Sequence, residues 1–549
     1  MLSASHVTAG PARIWRLASL GPALMLALPV VVVMLSVLQP QWQVWQHLAQ
    51  TVLWDYISNS LLLAFGVGLG TLILGTSLAW ICHHYEFPGR SAFEWLLLLP
   101  MAMPAYIIAY CYTGLLDFAG PVQTAVREQT GWAYGDYYFP EVRSLGGAIL
   151  MLTLVLYPYV FMLARNAFRD QAQSLLEVSR AAGLSPTGYF IKVAVPMARP
   201  AILTGVALAM MEAFADFGTV EYFGVNTFTT GIFRTWFGLG NAQAAAQLSA
   251  LLTTFVLLLL LLERGSRSKI KYYYQGHKHH SQNPQRPSAL VSVVLLCCCL
   301  LVLAAGFLIP LLMLINWVWG TGLAQFNGQF LSLMWNSFSL ALVAAFLVLV
   351  LALLFAYGRR LRDDPLIRMP VTLASMGYAV PGTVIAVGVM LPLAWFDKSL
   401  DALMQAWFGI STGLMFSGTL FALLLAYAVR FLAVSLNQVE AGLERIKPSM
   451  DQAAQSLGFG PLKSLQRIHL PIMKASLLSA VLLVFVDVLK ELPATLILRP
   501  FNFNTLAVRT YELASDERLS DAALPALSIL VVGILPVIIL ARAMNRESR

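Results

Sequence analysis

The sequence Glu177-Val-Ser-Arg-Ala-Ala-Gly183 is followed, after nine residues, by Val193-Ala-Val-Pro196. A second stretch has the same spacing: Gln452-Ala-Ala-Gln-Ser-Leu-Gly458, nine residues, and then Ile468-His-Leu-Pro471. In both, a helix-forming run ends at a glycine, a residue that readily adopts the left-handed conformation that closes a helix, and a second short helix is expected to run to the proline. The pattern predicts two helix–turn–helix loops, the first loop near 170–199 and the second loop near 440–474.

Each loop also carries apolar residues at matching positions. These side chains are predicted to anchor the loops in a groove of a partner. They are Leu184, Phe190 and Val193 in the first loop, and Phe459, Leu465 and Ile468 in the second.

Long apolar segments flank both loops. Crossing the hydrocarbon core of a bilayer takes about 20 predominantly apolar residues in a helix. The candidate segments are 17–38, 57–82, 93–116, 144–165, 198–218, 242–262, 288–316, 336–357, 369–396, 413–434, 474–490 and 522–541. The sequence therefore predicts an all-α polytopic membrane protein with twelve transmembrane helices.

The composition supports this class. Of the 549 residues, 58% are apolar and only 11% are charged, whereas roughly a quarter are charged in ordinary soluble proteins. A water-soluble fold of this length is excluded. The five cysteines lie in apolar stretches without Cys-x-x-Cys spacing, which indicates neither disulfides nor a thiolate metal site. They are predicted to face lipid.

The chain is an internal repeat. Asn59-Ser60 and Pro104 recur 277 residues later, as Asn336-Ser337 and Pro381. Further on the offset is 275, and it relates Gly183 to Gly458, Pro196 to Pro471 and Arg234-Thr235 to Arg509-Thr510. Each half has six predicted spans, an even number, so the halves insert in parallel. The predicted domains are 1–262 and 288–549. The linker 263–287, with the cluster His277-Lys278-His279-His280, is expected to be solvated, and a metal or anionic-lipid site there is the alternative.

The basic residues predict the orientation. Lys and Arg are enriched in cytoplasmic loops. With the N-terminus inside, eight of the 35 Lys and Arg residues lie outside: Arg127, Arg143, Arg234, Lys398, Lys490, Arg499, Arg509 and Arg518. Both termini and both loops are therefore predicted to be cytoplasmic.

The repeated loop resembles the EAA loop of binding-protein-dependent ABC importer permeases, whose pattern is E-A-A, three residues, G, nine residues and I-x-L-P. The first copy departs from it with Glu-Val-Ser and Val-x-Val-Pro, and the second with Gln-Ala-Ala. The resemblance implies that the loops dock into an ATPase subunit. The implied coupling residues are Glu177, Ala181, Ala182, Gly183, Pro196, Gln452, Ala453, Ala454, Gly458 and Pro471.

The chain lacks the Gly-Lys dipeptide of a phosphate-binding loop. The resemblance therefore implies that the chain is no enzyme and binds no cofactor of its own. ATP and Mg would be bound by a separate ATPase in two copies, and a periplasmic binding protein would deliver the substrate. The location implied is the bacterial inner membrane.

Polar residues gather after spans five and eleven. The segments Asp216-Phe-Gly-Thr-Val-Glu221-Tyr-Phe-Gly and Lys490-Glu491-Leu-Pro-Ala-Thr-Leu resemble those of fused ferric-iron permeases. Iron(III) is a hard cation that prefers oxygen ligands, so Asp216, Glu221 and Glu491 are candidate transient contacts, without a stable metal site. Alternatively, these carboxylates cap broken helices or pair with Arg234, Lys490 or Arg509. Arg234 and Arg509 are expected to pair internally or to meet the binding protein.

Pro104 and Pro381 are predicted hinges inside spans three and nine, with a static kink as the alternative. The function predicted is that of an iron(III) importer permease. Permeases for thiamine, phosphonate or polyamine are alternatives within the class. An ion-coupled secondary carrier, or a membrane-embedded enzyme, is an alternative outside it.

Overall fold

The computed structural model describes residues 9–133, 135–171, 173–268, 284–321, 326–361 and 364–546. Within them regular structure is helical, apart from an isolated β-bridge between Tyr85 and Gln285. The helices of the first half are α1 (Ala9–Leu35), α2 (Trp42–Thr51), α3 (Leu53–His84), α4 (Arg90–Leu96), α5 (Ala105–Leu116), α6 (Pro121–Thr130), α7 (Leu145–Arg169), α8 (Gln173–Ala181), α9 (Pro186–Tyr189), α10 (Val195–Ala215), α11 (Gly218–Tyr222), α12 (Phe228–Phe237) and α13 (Ala242–Ser268).

The second half repeats this order. Its helices are α14 (Ala289–Leu303), α15 (Ile309–Thr321), α16 (Gly328–Leu361), α17 (Pro365–Ser375), α18 (Gly382–Phe408), α19 (Leu420–Glu444), α20 (Pro448–Ser456), α21 (Pro461–Ser464), α22 (Leu470–Ile472), α23 (Lys474–Leu489), α24 (Pro493–Leu498), α25 (Leu506–Ser515) and α26 (Leu519–Arg546). The His277–His280 cluster of the predicted linker lies outside the described residues.

Ten helical segments of the described chain are long and apolar enough to cross a membrane. Two further pairs of helices meet the same criterion jointly but bend between their members. Arg90–Ala102 and Ala105–Thr130 meet at 90°, and Pro461–Ile472 and Lys474–Leu489 meet at 80°. Counting each bent pair as one span gives twelve. The predicted all-α polytopic membrane fold is confirmed.

The two predicted hinge prolines lie between helices. Pro104 precedes α5 with ψ 138°, and Pro381 precedes α18 with ψ 145°. A 3₁₀ turn stands before each proline, Leu99–Ala102 in the first half and Met376–Ala379 in the second. Proline is tolerated at a helix start because no intrahelical hydrogen bond is lost there. The prediction of prolines inside continuous spans was therefore wrong, whereas a hinge role stays a prediction.

Each sequence half supplies a trio of packed helices. In the first half α3, α7 and α10 pack together, and in the second α16, α19 and α23 do so. The buried faces correspond at the offset of 277: Leu63 and Ala64 of α3 are buried, as are Leu340 and Ala341 of α16. The repeat therefore preserves the side of the helix that packs.

The chain forms two compact units, and neither is one sequence half. One unit contains the described residues up to Trp45 together with those of Ile232–Leu251 and Phe326–Arg509, and the other contains the rest. Within the first unit α1 packs on α17 and α18, and within the second α15 packs on α5 and α26. α1 also packs on α16, and the π-helical turn Ala304–Leu308 of the second half contacts α7, so each trio has a segment from the other half against it. The boundaries 1–262 and 288–549 describe the sequence repeat, and as domain limits they stay a prediction.

The cysteines only partly follow the prediction that they face lipid. Cys297 and Cys298 are exposed on the surface of α14. Cys82, Cys111 and Cys299 are buried inside the protein instead. Cysteine behaves as a small apolar residue, so its presence in an apolar run does not indicate which side of the helix packs.

Candidate functional site

The first loop is closed at its glycine by a pair of backbone hydrogen bonds. Gly183 has φ +76°. Its amide donates to the carbonyl of Arg180 at 2.9 Å, and the amide of Leu184 donates to Ser179 at 3.0 Å. This is the Schellman arrangement, in which a left-handed residue satisfies the last carbonyls of a helix.

The second loop repeats this geometry. Gly458 also has φ +76°. Its amide donates to Gln455 at 2.9 Å, and the amide of Phe459 donates to Ala454 at 2.9 Å. The predicted helix–turn–helix is present twice, with the same closure in both copies.

A π-helical turn follows the second short helix in each loop, Phe190–Ala194 in the first and Leu465–His469 in the second. The loops differ after that turn. Pro196 stands at the start of α10, which continues to Ala215. In the second loop the helical path breaks at Met473 between α22 and α23. The prediction that the second short helix ends at the proline was wrong for the first loop, because proline in the first turn of a helix interrupts nothing. In the second loop α22 ends at Ile472, one residue after Pro471.

The predicted coupling residues lie mostly on the surface. Those exposed are Glu177, Ala181, Ala182, Gly183, Pro196, Gln452, Ala453, Gly458 and Pro471. Ala454 is buried, and so is Ser179, which occupies the equivalent place in the first loop. The last residue of the Glu-Val-Ser motif in the first loop and of the Gln-Ala-Ala motif in the second is therefore packed inside its own unit.

The predicted apolar anchors are less accessible than expected. Leu465 is buried, and the other five are only partly exposed. The apolar side chains that the loops expose most are Val178, Ile191, Leu457 and Leu462. Sequence spacing alone missed these four, because the side on which the short helices pack was unknown.

Asp216 caps the short helix that follows span five. Its Oδ2 accepts hydrogen bonds from the amides of Thr219 and Val220, each at 3.1 Å, and its Oδ1 accepts one from Thr219 Oγ1 at 3.0 Å. The nearby Glu212 carboxylate adds negative charge to this site.

Glu491 makes the equivalent cap in the second half. Its Oε1 accepts from the amide of Ala494 at 2.9 Å, and its Oε2 accepts from the amide and hydroxyl of Thr495 at 3.0 and 2.6 Å. Nη1 of Arg430, on α19, lies 3.6 Å from Oε1. Asp216 and Glu491 thus each cap a short helix in the structure, which is one of the three roles left open for them. Arg430 was missed in the sequence as the ionic partner of Glu491.

The Asn-Ser pairs of the repeat hold the polar segments in place. Nδ2 of Asn59 donates to the carbonyl of Asn226 at 2.9 Å, and the amide of Phe228 donates to Ser60 Oγ at 3.0 Å. In the second half Asn336 donates to Asn504 at 3.4 Å, and the amide of Leu506 donates to Ser337 Oγ at 2.7 Å. The same two side chains therefore fix the start of α12 and of α25.

These hydrogen bonds correct the predicted register. Asn226 and Asn504 are 278 residues apart, not 275, so the second half has three more residues between its cap and α25. Arg234 is the seventh residue of α12 and Arg509 the fourth of α25. The two arginines are therefore not structural equivalents.

The remaining candidates are dispersed. Glu221 lies on α11 and is half-buried, Arg234 is exposed, and Arg509 is half-buried. Lys490 forms an ion pair with Asp487 at 2.9 Å. The described residues contain no group of three or more His, Cys, Asp or Glu side chains that could hold a metal ion.

Comparisons with known proteins agree with this architecture. Residues 71–264 match the family described as "Binding-protein-dependent transport system inner membrane component". With the helical fold and the repeat, the match identifies the chain as a permease of a binding-protein-dependent ABC transporter.

Among its relatives is the Fe(3+)-transport system permease protein FbpB 2 of Haemophilus influenzae, 27% identical over 89% of this chain and 90% of the relative. The sulfate permease CysT of Escherichia coli is 24% identical over 37% of this chain and 71% of its own length. The molybdate/tungstate permease WtpB of Thermococcus kodakarensis is 24% identical over 36% of this chain and 70% of its own. The first of these relatives spans both halves of the repeat.

Proposed function

We propose that this permease carries iron(III) across the bacterial inner membrane in an importer driven by a separate ATPase. The observation that carries the proposal is the pair of loops with one geometry, closed at Gly183 and Gly458 with the same φ of +76°. Two equivalent docking places fit two copies of one motor subunit. The iron permease that is similar to this chain along most of its length supports the cargo.

In this proposal the energy source lies outside the chain. ATP and Mg are bound by the partner ATPase, one copy under each loop, and a periplasmic protein delivers the substrate. Both loops and both termini are cytoplasmic, as the excess of Lys and Arg on that side predicts. Val178 and Ile191 in the first loop, with Leu457 and Leu462 in the second, are exposed apolar side chains suited to a groove on the ATPase.

Asp216 is the carboxylate best suited to contact a passing cation. Glu212 adds negative charge near it, and charged side chains at membrane depth usually mark an ion pathway. Glu491 is less suited, because Arg430 lies 3.6 Å away and its positive charge compensates that of the carboxylate.

The test is purification of the chain with a co-expressed ATPase and binding protein, followed by reconstitution in liposomes. Co-elution of the ATPase, ATP hydrolysis stimulated by the loaded binding protein and uptake of radioactive iron(III) are the expected results. A chain that elutes alone and transports without ATP would refute the coupling, and uptake of another cargo would refute iron.

An oxyanion is the second candidate cargo. The observation favouring it is Arg430, whose Nη1 is buried without a hydrogen-bond partner in the described structure. Relatives of this chain include sulfate and molybdate permeases. Competition of sulfate or molybdate for uptake, abolished by R430Q, would favour this cargo over iron(III).

A further inference from the structure

The last turn of α16 holds both short helices of the second loop. The hydroxyl of Tyr357 donates to the carbonyl of Pro461, the first residue of α21, at 2.7 Å. The Tyr357 ring also meets the ring of His469 edge to face, with centroids 5.4 Å apart. One residue of α16 therefore contacts the loop at two points.

Arg360, one turn further along α16, binds the other short helix. Its Nε and Nη2 donate to Oδ2 of Asp451, on α20, at 3.1 and 2.8 Å. Its Nη1 donates to the carbonyl of Leu443 at 2.6 Å, and Nη2 donates to that of Ile446 at 2.8 Å. The guanidinium thereby joins three elements: α16, the end of α19 and the start of α20.

His469 occupies the other oxygen of the same carboxylate. Its Nε2 lies 2.7 Å from Oδ1 of Asp451, and its side chain is buried. The imidazole belongs to the π-helical turn after α21, so Asp451 ties the two ends of the loop to each other as well as to α16.

The first loop is held differently. The residues at the positions of Tyr357 and Arg360 are Trp80 and His83, and those at the positions of Asp451 and His469 are Leu176 and Ala194. Trp80, at the position of Tyr357, packs with aromatic rings. Its ring stacks on His84 at 4.3 Å and contacts the rings of Phe168, Tyr189 and Phe190 at 5.4, 5.8 and 5.0 Å.

We propose that Arg360, Asp451 and His469 form a clamp that makes the second loop a rigid extension of α16, while the first loop rests on aromatic rings and a neutral hydrogen bond from Gln171 to the carbonyl of Ala194 at 2.9 Å. Charge-assisted hydrogen bonds fix direction and distance, whereas apolar contacts permit sliding. The two ATPase copies therefore act on loops of unequal rigidity, and the clamp fixes the position of the second loop relative to α16. This inference rests on the proposed function, because it requires an ATPase docked on each loop.

The experiment compares D451N with E440Q in the reconstituted complex. Glu440 is a matched control, since its Oε1 pairs with Arg359 of the same α16 turn at 2.9 Å, but it lies on α19 and ties neither short helix. Loss of a charge-assisted hydrogen bond corresponds to about tenfold in an equilibrium. D451N is therefore expected to lower the substrate carried per ATP hydrolysed about tenfold, with E440Q close to wild type.

Two further measurements separate the causes of failure. The ATPase that co-purifies is quantified for each variant, because absence from the wild-type chain would refute the proposed function rather than the clamp. R360K keeps the positive charge but loses the forked geometry of the guanidinium. The amount of substrate carried per ATP hydrolysed is expected to fall in R360K as well. An unchanged ratio in D451N and R360K, or an equal loss in E440Q, would overturn the clamp. If D451N does not reach the membrane, the R360K ratio alone decides.

Discussion

Replacing Gly458 tests whether the closure of the second loop matters for transport. A Cβ added there would meet nothing within 4 Å, so the Cβ itself is not crowded by the chain. What remains is the left-handed backbone at φ +76°, which costs a residue other than glycine about 1–2 kcal/mol. Relative to a competing open loop, this corresponds to about five- to thirtyfold in population.

The substitutions form a graded series. Asparagine tolerates the left-handed region best, alanine less, and β-branched valine least. Uptake is therefore expected to fall in the order G458N, G458A, G458V. Gly183 has the same φ and the same empty surroundings, so its series provides an internal replicate.

The assay is substrate uptake by cells, normalised to the amount of chain in the membrane. Membrane insertion should be unchanged, because Gly458 lies outside the candidate spans. Equal uptake by G458V and wild type would refute the coupling role of the closure. A loss that follows side-chain size rather than backbone preference would instead indicate a clash with the ATPase.

Three further predictions concern the polar segments. E491Q leaves the Arg430 guanidinium without its anion and should lower the free energy of unfolding by about 3–5 kcal/mol. R430Q leaves the Glu491 carboxylate with its three hydrogen bonds, so thermal unfolding in detergent should show a smaller loss of stability in R430Q than in E491Q. The reverse order would contradict the pairing. D216N removes the negative charge but keeps an oxygen that can accept the capping hydrogen bonds of α11, so uptake should fall in D216N, and uptake equal to wild type would argue against the cation contact. S60A and S337A should each lower the free energy of unfolding by about 1 kcal/mol in the same unfolding measurement, because each leaves a buried amide without its hydrogen bond. A loss of stability in only one variant would show that the two serine hydrogen bonds are not equivalent.

Local patterns predicted the loops well. A glycine at a fixed distance from a proline, found twice, predicted two left-handed closures, and both are present. The prediction is correct because the last carbonyls of a helix are hydrogen-bonded by residues only a few positions away, so the nearby sequence determines how the helix ends. The same holds for the helix caps at Asp216 and Glu491.

Partners far apart in sequence could not be predicted. Arg430 faces Glu491 across 61 residues, and Arg360 reaches Asp451 across 91. No spacing rule connects such positions, because tertiary packing alone brings them together. For the same reason the sequence does not predict that α1 packs against helices of the other half, although it does predict that α1 is a long apolar helix.

The repeat separates these two kinds of interaction. The glycine closures of the loops, the carboxylate helix caps and the hydrogen bonds of the Asn-Ser pairs recur in both halves, because each satisfies backbone groups that are costly to leave unpaired. The long-range partners have diverged, so that Asp451 stands where the first half has Leu176, and Arg430 is paired with only one of the two capping carboxylates. Local devices therefore keep the two halves alike in backbone, and the side chains that reach across the fold make them unequal. We therefore expect the two loops to respond unequally to the proposed ATPase, and the clamp on the second loop is where the difference should be measured.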